Sequence, residues 1–166
     1  MRRETGFTLI ELLVAVVVLT IGLLGVAKLS LSTVQANGSA YMRSQATELV
    51  QQIIDDMRAN EVQAQQLSYN LALGAAPPAA PNCELVACGP TQIANFDMTR
   101  WKNRIATQLP NGLGQIATVA LLSPSGSNEY SVTVTVQWND SVAQWAFGTP
   151  TTIAPAPTQL VVETLL

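Results

Sequence analysis

At 166 residues, with a net charge of −3 and only 11% charged residues, the chain has room for one modest globular domain plus an appendage. It contains no histidine, which removes the commonest general base and metal ligand, and with them Ser-His-Asp triads and ordinary zinc sites. An acidic chain with eight scattered lysines and arginines is a poor match to a phosphate backbone.

Met1 to Gly6 make a short, net positive leader, and Phe7 to Ala27 is an apolar run whose one charge is Glu11. About 20 apolar residues in a helix cross the hydrocarbon core of a bilayer. A lone carboxylate in such a span costs roughly 2.5–3.5 kcal/mol, so Glu11 calls for a partner. Arg2 and Arg3 precede the run, which keeps the N-terminus cytoplasmic and places the rest of the chain outside. A cleaved secretory signal is one simple reading, with Val34-Gln35-Ala36 as the cleavage site, and an uncleaved anchor is another. The run is longer than a usual signal core, and Glu11 suits neither reading.

Gly6 followed by Phe-Thr-Leu-Ile-Glu11 resembles the type III signal of type IV pilins and the related pseudopilins. The resemblance implies cleavage of the Gly6–Phe7 bond by a prepilin peptidase on the cytoplasmic face. It also implies N-methylation of the new terminal residue, Phe7, and makes Glu11 the fifth residue of the mature chain.

Past Ala27 the helical period continues, with Lys28 able to snorkel to the interface. Between Leu31 and Met57 an apolar stripe runs through Met42, Ala46, Leu49, Val50 and Ile53, with Ser44, Glu48, Gln51 and Asp55 opposite. No proline occurs before Pro77, so one helix is predicted from Phe7 to about residue 60. Gly22, Gly25 and Gly38 are the positions where a bend costs least. A coiled-coil stalk is the alternative for 31–57, but the stripe lacks sustained heptads.

Residues 61–95, rich in Gln, Ala, Pro, Asn and Gly, read as a helix end and a long irregular loop. Cys83 and Cys88 lie in this loop. In an exported domain they pair, whereas in a cytosolic one they stay free thiols; without histidine they cannot complete a metal site. A second helix is predicted over 96–109, with Phe96, Trp101, Ile105 and Leu109 on one face and Asn95 or Asp97 as its cap. Arg100, Lys102 and Arg104 then form a solvated basic side.

Pro110 to Gly114 reads as a turn, Ile116 to Leu122 as a strand and Ser123 to Asn128 as a loop. The clearest strand follows: Tyr130, Val132, Val134, Val136 and Trp138 alternate with Ser131, Thr133, Thr135 and Gln137. These two strands are expected to form an antiparallel hairpin with one buried face. Val142 to Phe147 is a weaker strand, 148–158 a surface loop and Gln159 to Leu166 a last strand, so the sheet occupies 115–166.

The resulting α+β order, a very long N-terminal helix, a cysteine loop and an antiparallel sheet, is that of a pilin. Three segments are expected: a leader over 1–6, a transmembrane half-helix over 7–30 and a periplasmic domain over 31–166. Asp56-Met57-Arg58-Ala59-Asn60, the short Cys loop, Asp97 with Trp101, Leu109-Pro110-Asn111-Gly112 and Tyr130 to Trp138 together resemble the PilV family, the type IV pilus modification proteins. That resemblance implies a non-enzymatic minor pilin without cofactors. Its implied partners are the prepilin peptidase, other minor pilins, the major pilin and a tip adhesin. It places the chain in the bacterial inner membrane and then on the pilus, where it supports assembly, twitching motility and adhesion.

The pseudopilins of type II secretion share the signal, helix and sheet, and a DNA-uptake pilin would need a basic patch built from Arg100, Lys102 and Arg104. A membrane-anchored enzyme is the reading of a different class. Asp55 and Asp56, the adjacent carboxylates, point to different helix faces, and Asp140 stands alone in sequence, with no nucleophile motif or phosphate loop nearby.

Overall fold

The computed structural model of the chain describes residue 6 and residues 8–122, 128–140 and 157–166. Their elements are α1 (Leu9–Ala59), α2 (Glu61–Gln65), α3 (Pro90–Gln108), β1 (Leu113–Leu122), β2 (Asn128–Trp138) and β3 (Thr158–Leu165). The strands form an antiparallel sheet in the order β1-β2-β3. This is the expected α+β fold, a long N-terminal helix packed on an antiparallel sheet. The chain divides into two compact units, Met1–Gly38 and Ser39–Leu166.

In the first unit, Thr8 opens α1. Its Oγ1 accepts the Glu11 N–H at 3.3 Å and its carbonyl accepts the Leu12 N–H at 3.2 Å. Thr-x-x-Glu ahead of an apolar run is the sequence signature of a helix start, and here it serves donors that have no partner inside the helix. Helical geometry continues through Gly22, Gly25 and Gly38 without a break.

In the second unit, the predicted stripe of α1 is the spine of the core. Ala46, Leu49, Val50, Ile53, Ile54 and Met57 are buried, Met42 packs against them, and Ser44, Glu48, Gln51 and Asp55 are exposed. From α3 come Ala94, Met98, Trp101 and Ile105, spaced by three and four residues along one face. From β2 come Val132, Val134, Val136 and Trp138, the alternate positions of one pleated face. Ile116 of β1 completes the same cluster. Each such aliphatic or aromatic side chain contributes about 1.5–3 kcal/mol by leaving water.

Several expectations need correction. The second helix begins at Pro90, not near Asn95: Gly89 is its extended N-cap, and Gln92 Oε1 accepts the Gly89 N–H at 3.0 Å. Proline at the first helical position with glutamine two residues later signals this start, because that proline lacks an N–H which would be unpaired anyway. Asn95 and Asp97 therefore cap nothing, and Asp97 lies on the buried face. Phe96 is displaced from the core side by Ala94, Asp97 and Met98, and is only half-buried.

Within the stretch expected to be irregular, α2 adds a short turn of helix, and Leu71 pairs with Ile116 on the β1 edge. Strand β1 starts at Leu113, inside the predicted turn, and β3 starts at Thr158. The loop over 123–127, the weaker strand over 142–147 and the loop over 148–156 lie outside the described residues.

Candidate functional site

The predicted assembly segment lies at the start of α1. Gly6 is exposed, Phe7 lies outside the described residues, and Glu11 is exposed in the first helical turn. From Leu9 to Val34 every large apolar side chain is open, from 43% at Leu31 to 87% at Leu9. The mean hydropathy of this helix reaches 2.8 over its best window, so it is long and apolar enough to cross a membrane. Its two inner threonines do not spoil that surface. Thr20 Oγ1 donates to the Val17 carbonyl at 2.8 Å and Thr33 Oγ1 to the Leu29 carbonyl at 3.0 Å, satisfying these two hydroxyls within the helix. An apolar surface this continuous requires lipid or another protein around it.

The second unit is held by polar contacts between distant segments. Tyr69, fully buried, donates to Asp97 Oδ2 at 2.8 Å and accepts from Asn60 Nδ2 at 3.3 Å. Asn60 Nδ2 also reaches the Pro90 carbonyl at 2.9 Å, tying the end of α1 to the start of α3. Arg100 Nη2 lies 3.2 and 3.1 Å from the two carboxylate oxygens of Asp56 and 3.5 Å from Asp97 Oδ1. Trp101 Nε1 donates to the Leu49 carbonyl at 2.9 Å. Cys83 and Cys88 form a disulfide, the pairing expected of an exported domain.

Residues 28–99 match the family described as Type IV pilin Tt1218, and residues 1–27 match the prokaryotic N-terminal methylation motif. The chain carries a type IV pilin domain behind an N-terminal methylation motif. No curated protein and no solved structure matches the chain. The pilin match spans the second half of α1, the disulfide loop and α3 as far as Thr99, so it includes Asn60, Tyr69 and Asp97.

This pilin domain is a non-catalytic fold, and among the described residues no group of three Cys, Asp or Glu could hold a metal. The carboxylates weighed above have structural partners instead. Asp55 pairs with Arg58 at 3.3 Å, Asp56 with Arg100, and Asp140 Oδ2 accepts from Ser39 Oγ at 2.7 Å. Burial raises the Asp97 carboxyl above the ordinary carboxylate range, while the Tyr69 hydrogen bond pulls it back. Burial likewise raises the Tyr69 phenol, keeping it protonated as the donor.

The predicted solvated basic side holds for the exposed Arg104 and needs correction at Arg100. Arg100 is neutralised by Asp56 and Asp97, and Arg104 Nη1 donates to Gln52 Oε1 at 2.6 Å. Partial burial lowers the Lys102 ammonium. Of the three, Arg100 is the one engaged by carboxylates. Sequence reasoning missed Tyr69, Asn60 and Gln63 as organisers. Gln63 Oε1 accepts from Ser68 Oγ at 2.9 Å and Thr91 Oγ1 at 3.1 Å, and no local pattern announces such contacts.

Proposed function

We propose that this pilin-type chain is a minor pilin of the type IV pilus, of the PilV kind. A prepilin peptidase cuts after Gly6, and Phe7 becomes the N-methylated first residue. The apolar helix holds the subunit in the inner membrane with its domain in the periplasm. It is then drawn into a complex with other minor pilins that primes polymerisation of the major pilin and can cap the pilus tip, with an adhesin.

The reading is carried by the apolar helix from Leu9 to Val34, exposed throughout and bearing one carboxylate, Glu11, in its first turn. A carboxylate in an apolar medium is costly alone and stable only beside a cation. Cleavage creates such a cation, the amino group of Phe7 on a neighbouring subunit. Pairing Glu11 with that amine removes both desolvation costs and sets the axial register between subunits. The disulfide supports a location outside the cytoplasm.

Mass spectrometry of the mature N-terminus from the source bacterium tests the processing step. A chain beginning at N-methylated Phe7 is expected. One beginning at Asn37, or at Met1, overturns the reading. Co-purification then separates pilus from secretion: minor pilins are expected with the chain, and recovery with secretion-channel components alone would move it to the pseudopilins.

A further inference from the structure

Among the described residues of the unit Met1–Gly38, Lys28 is the one cation, and it is exposed. On its own side of the helix, one or two turns away, stand Ile21, Leu24 and Leu31, which are 65%, 71% and 43% exposed. A helix that docks on this side covers the ammonium together with those side chains. An ammonium pressed against apolar surface is costly alone and stable beside a carboxylate. Among the described residues, the ion pairs are made by Arg58 and Arg100, not by Lys28. The nearest carboxylates along α1 are Glu11 and Glu48, about 17 and about 20 residues away. At 1.5 Å per residue they stand ~25 Å and ~30 Å from it, so its own helix supplies no partner.

The contact between Glu11 and a neighbour's amino group fixes which residues of two parallel helices stand level. Lys28 lies about 17 residues beyond that contact, level with about the 18th mature residue of the neighbour. A second copy of this chain would present Leu24 there. One turn to either side, from Thr20 to Lys28, the copy holds no carboxylate, and its one charge is another ammonium. With the roles reversed, Phe7 of this chain meets Glu11 of the copy, and Lys28 comes level with Ser32. From Lys28 to Ala36 the copy again offers an ammonium and no carboxylate. Like charges brought together repel. Two copies are therefore mismatched at this level in either order.

We propose that Lys28 selects a different pilin subunit as the neighbour, one that carries Asp or Glu about 18 residues from its mature amino terminus. This inference rests on the minor-pilin reading above and names the partner's chemistry. Glu11 and Lys28 then divide the work. Every processed pilin has an amino terminus, so Glu11 sets register without distinguishing one subunit from another. A carboxylate level with Lys28 is a property of particular chains, so Lys28 supplies the discrimination, and it repels a copy of itself.

The test uses the tagged full-length chain in membranes of the source bacterium, treated with a hydrophobic carbodiimide. The reagent joins an amine and a carboxylate in direct contact as an amide, taking up the water released, and mass spectrometry locates the bond. An amide is expected between Lys28 Nζ and an acid within a turn of the 18th mature residue of another pilin. Lys28→Leu, which keeps the helix apolar, is expected to lower co-purification of that pilin about tenfold. Lys28→Arg retains it. Lys28→Glu loses it and regains it when the partner's acid is changed to lysine. Full recovery with Lys28→Leu, the result for a lysine that only snorkels to lipid headgroups, overturns the proposal. So does a co-purifying pilin with no carboxylate at that level, or the lack of any Lys28 amide to a pilin. An amide from Glu11 to another pilin's amino group, in the same sample, leaves the minor-pilin reading standing when Lys28 fails. A mature chain that starts at Asn37 or Met1 removes both.

Discussion

The Tyr69 hydroxyl donates to Asp97 Oδ2 across 2.8 Å, joining the segment after α2 to the buried face of α3. Both side chains are shielded from water, and Asn60 and Arg100 close the group from the end of α1 and the next turn of α3. Removing the hydroxyl leaves a buried carboxylate short of one donor, which costs about 1–3 kcal/mol. Tyr69→Phe is expected to unfold at correspondingly lower denaturant with an unchanged slope, measured by urea titration in micelles.

The same carboxyl gives a pH signature. Its folded pKa is raised, mainly by burial, so the native state holds this proton more readily than the unfolded chain. Above both pKa values the ionised group therefore costs stability. That cost is relieved as pH falls through the raised folded value towards the lower unfolded one. Asp97→Asn lacks the relief, so its stability is expected to fall more steeply than the wild type's on acidification, in paired melts from neutral pH downward. Parallel curves for the two proteins count against the assignment.

Gly114 is a packing constraint inside β1. A Cβ built there would stand 2.6 Å from Trp101 Cη2 and 2.7 Å from Ile105 Cδ1. Trp101 cannot retreat, because its Nε1 is bonded to the Leu49 carbonyl. Gly114→Ala is expected to cost about 1–3 kcal/mol by overpacking, lowering the melting temperature by several degrees. A neutral outcome would mean that the α3–β1 contact is looser than this geometry.

The Cys83–Cys88 bridge closes a short loop, with a sequence separation of 5. Chain-entropy reasoning gives a stabilisation of roughly 2 kcal/mol for a loop this small. The double serine variant is expected to fold with a reduced melting temperature. The loss should match that caused by adding reductant to the wild type.

Under the proposed function, Glu11→Ala keeps its apolar helix and its Gly6 cleavage point. It is expected to reach the membrane and be processed normally, yet to lose most of its co-purification with partner minor pilins. A variant that enters the complex and supports piliation as well as wild type removes the role given to Glu11.

Periodic features were legible in the residues. The stripe from Met42 to Met57 and the alternation from Val132 to Trp138 record which side of an element faces the core, because helices and strands repeat with fixed periods. The exposed run behind Gly6 is equally direct, since length and hydropathy alone decide whether a helix suits a membrane. The start of α3 was legible in Gly89, Pro90 and Gln92, but its signal is local chemistry rather than period.

Thus the sequence by itself determined the order of long helix, disulfide loop and sheet, the N-terminal methylation motif and the core faces of α1 and β2. Tertiary structure alone decided what Asp97 and Arg100 are for. Asp97 resembles a helix cap until Tyr69 arrives from 28 residues away, and Arg100 resembles a solvated cation until Asp56 meets it from 44 residues away. Charge and hydrogen-bond capacity belong to a residue, but a polar partner belongs to the fold. No spacing along the chain encodes a bond that forms only after α1, the Tyr69 segment and α3 have packed together.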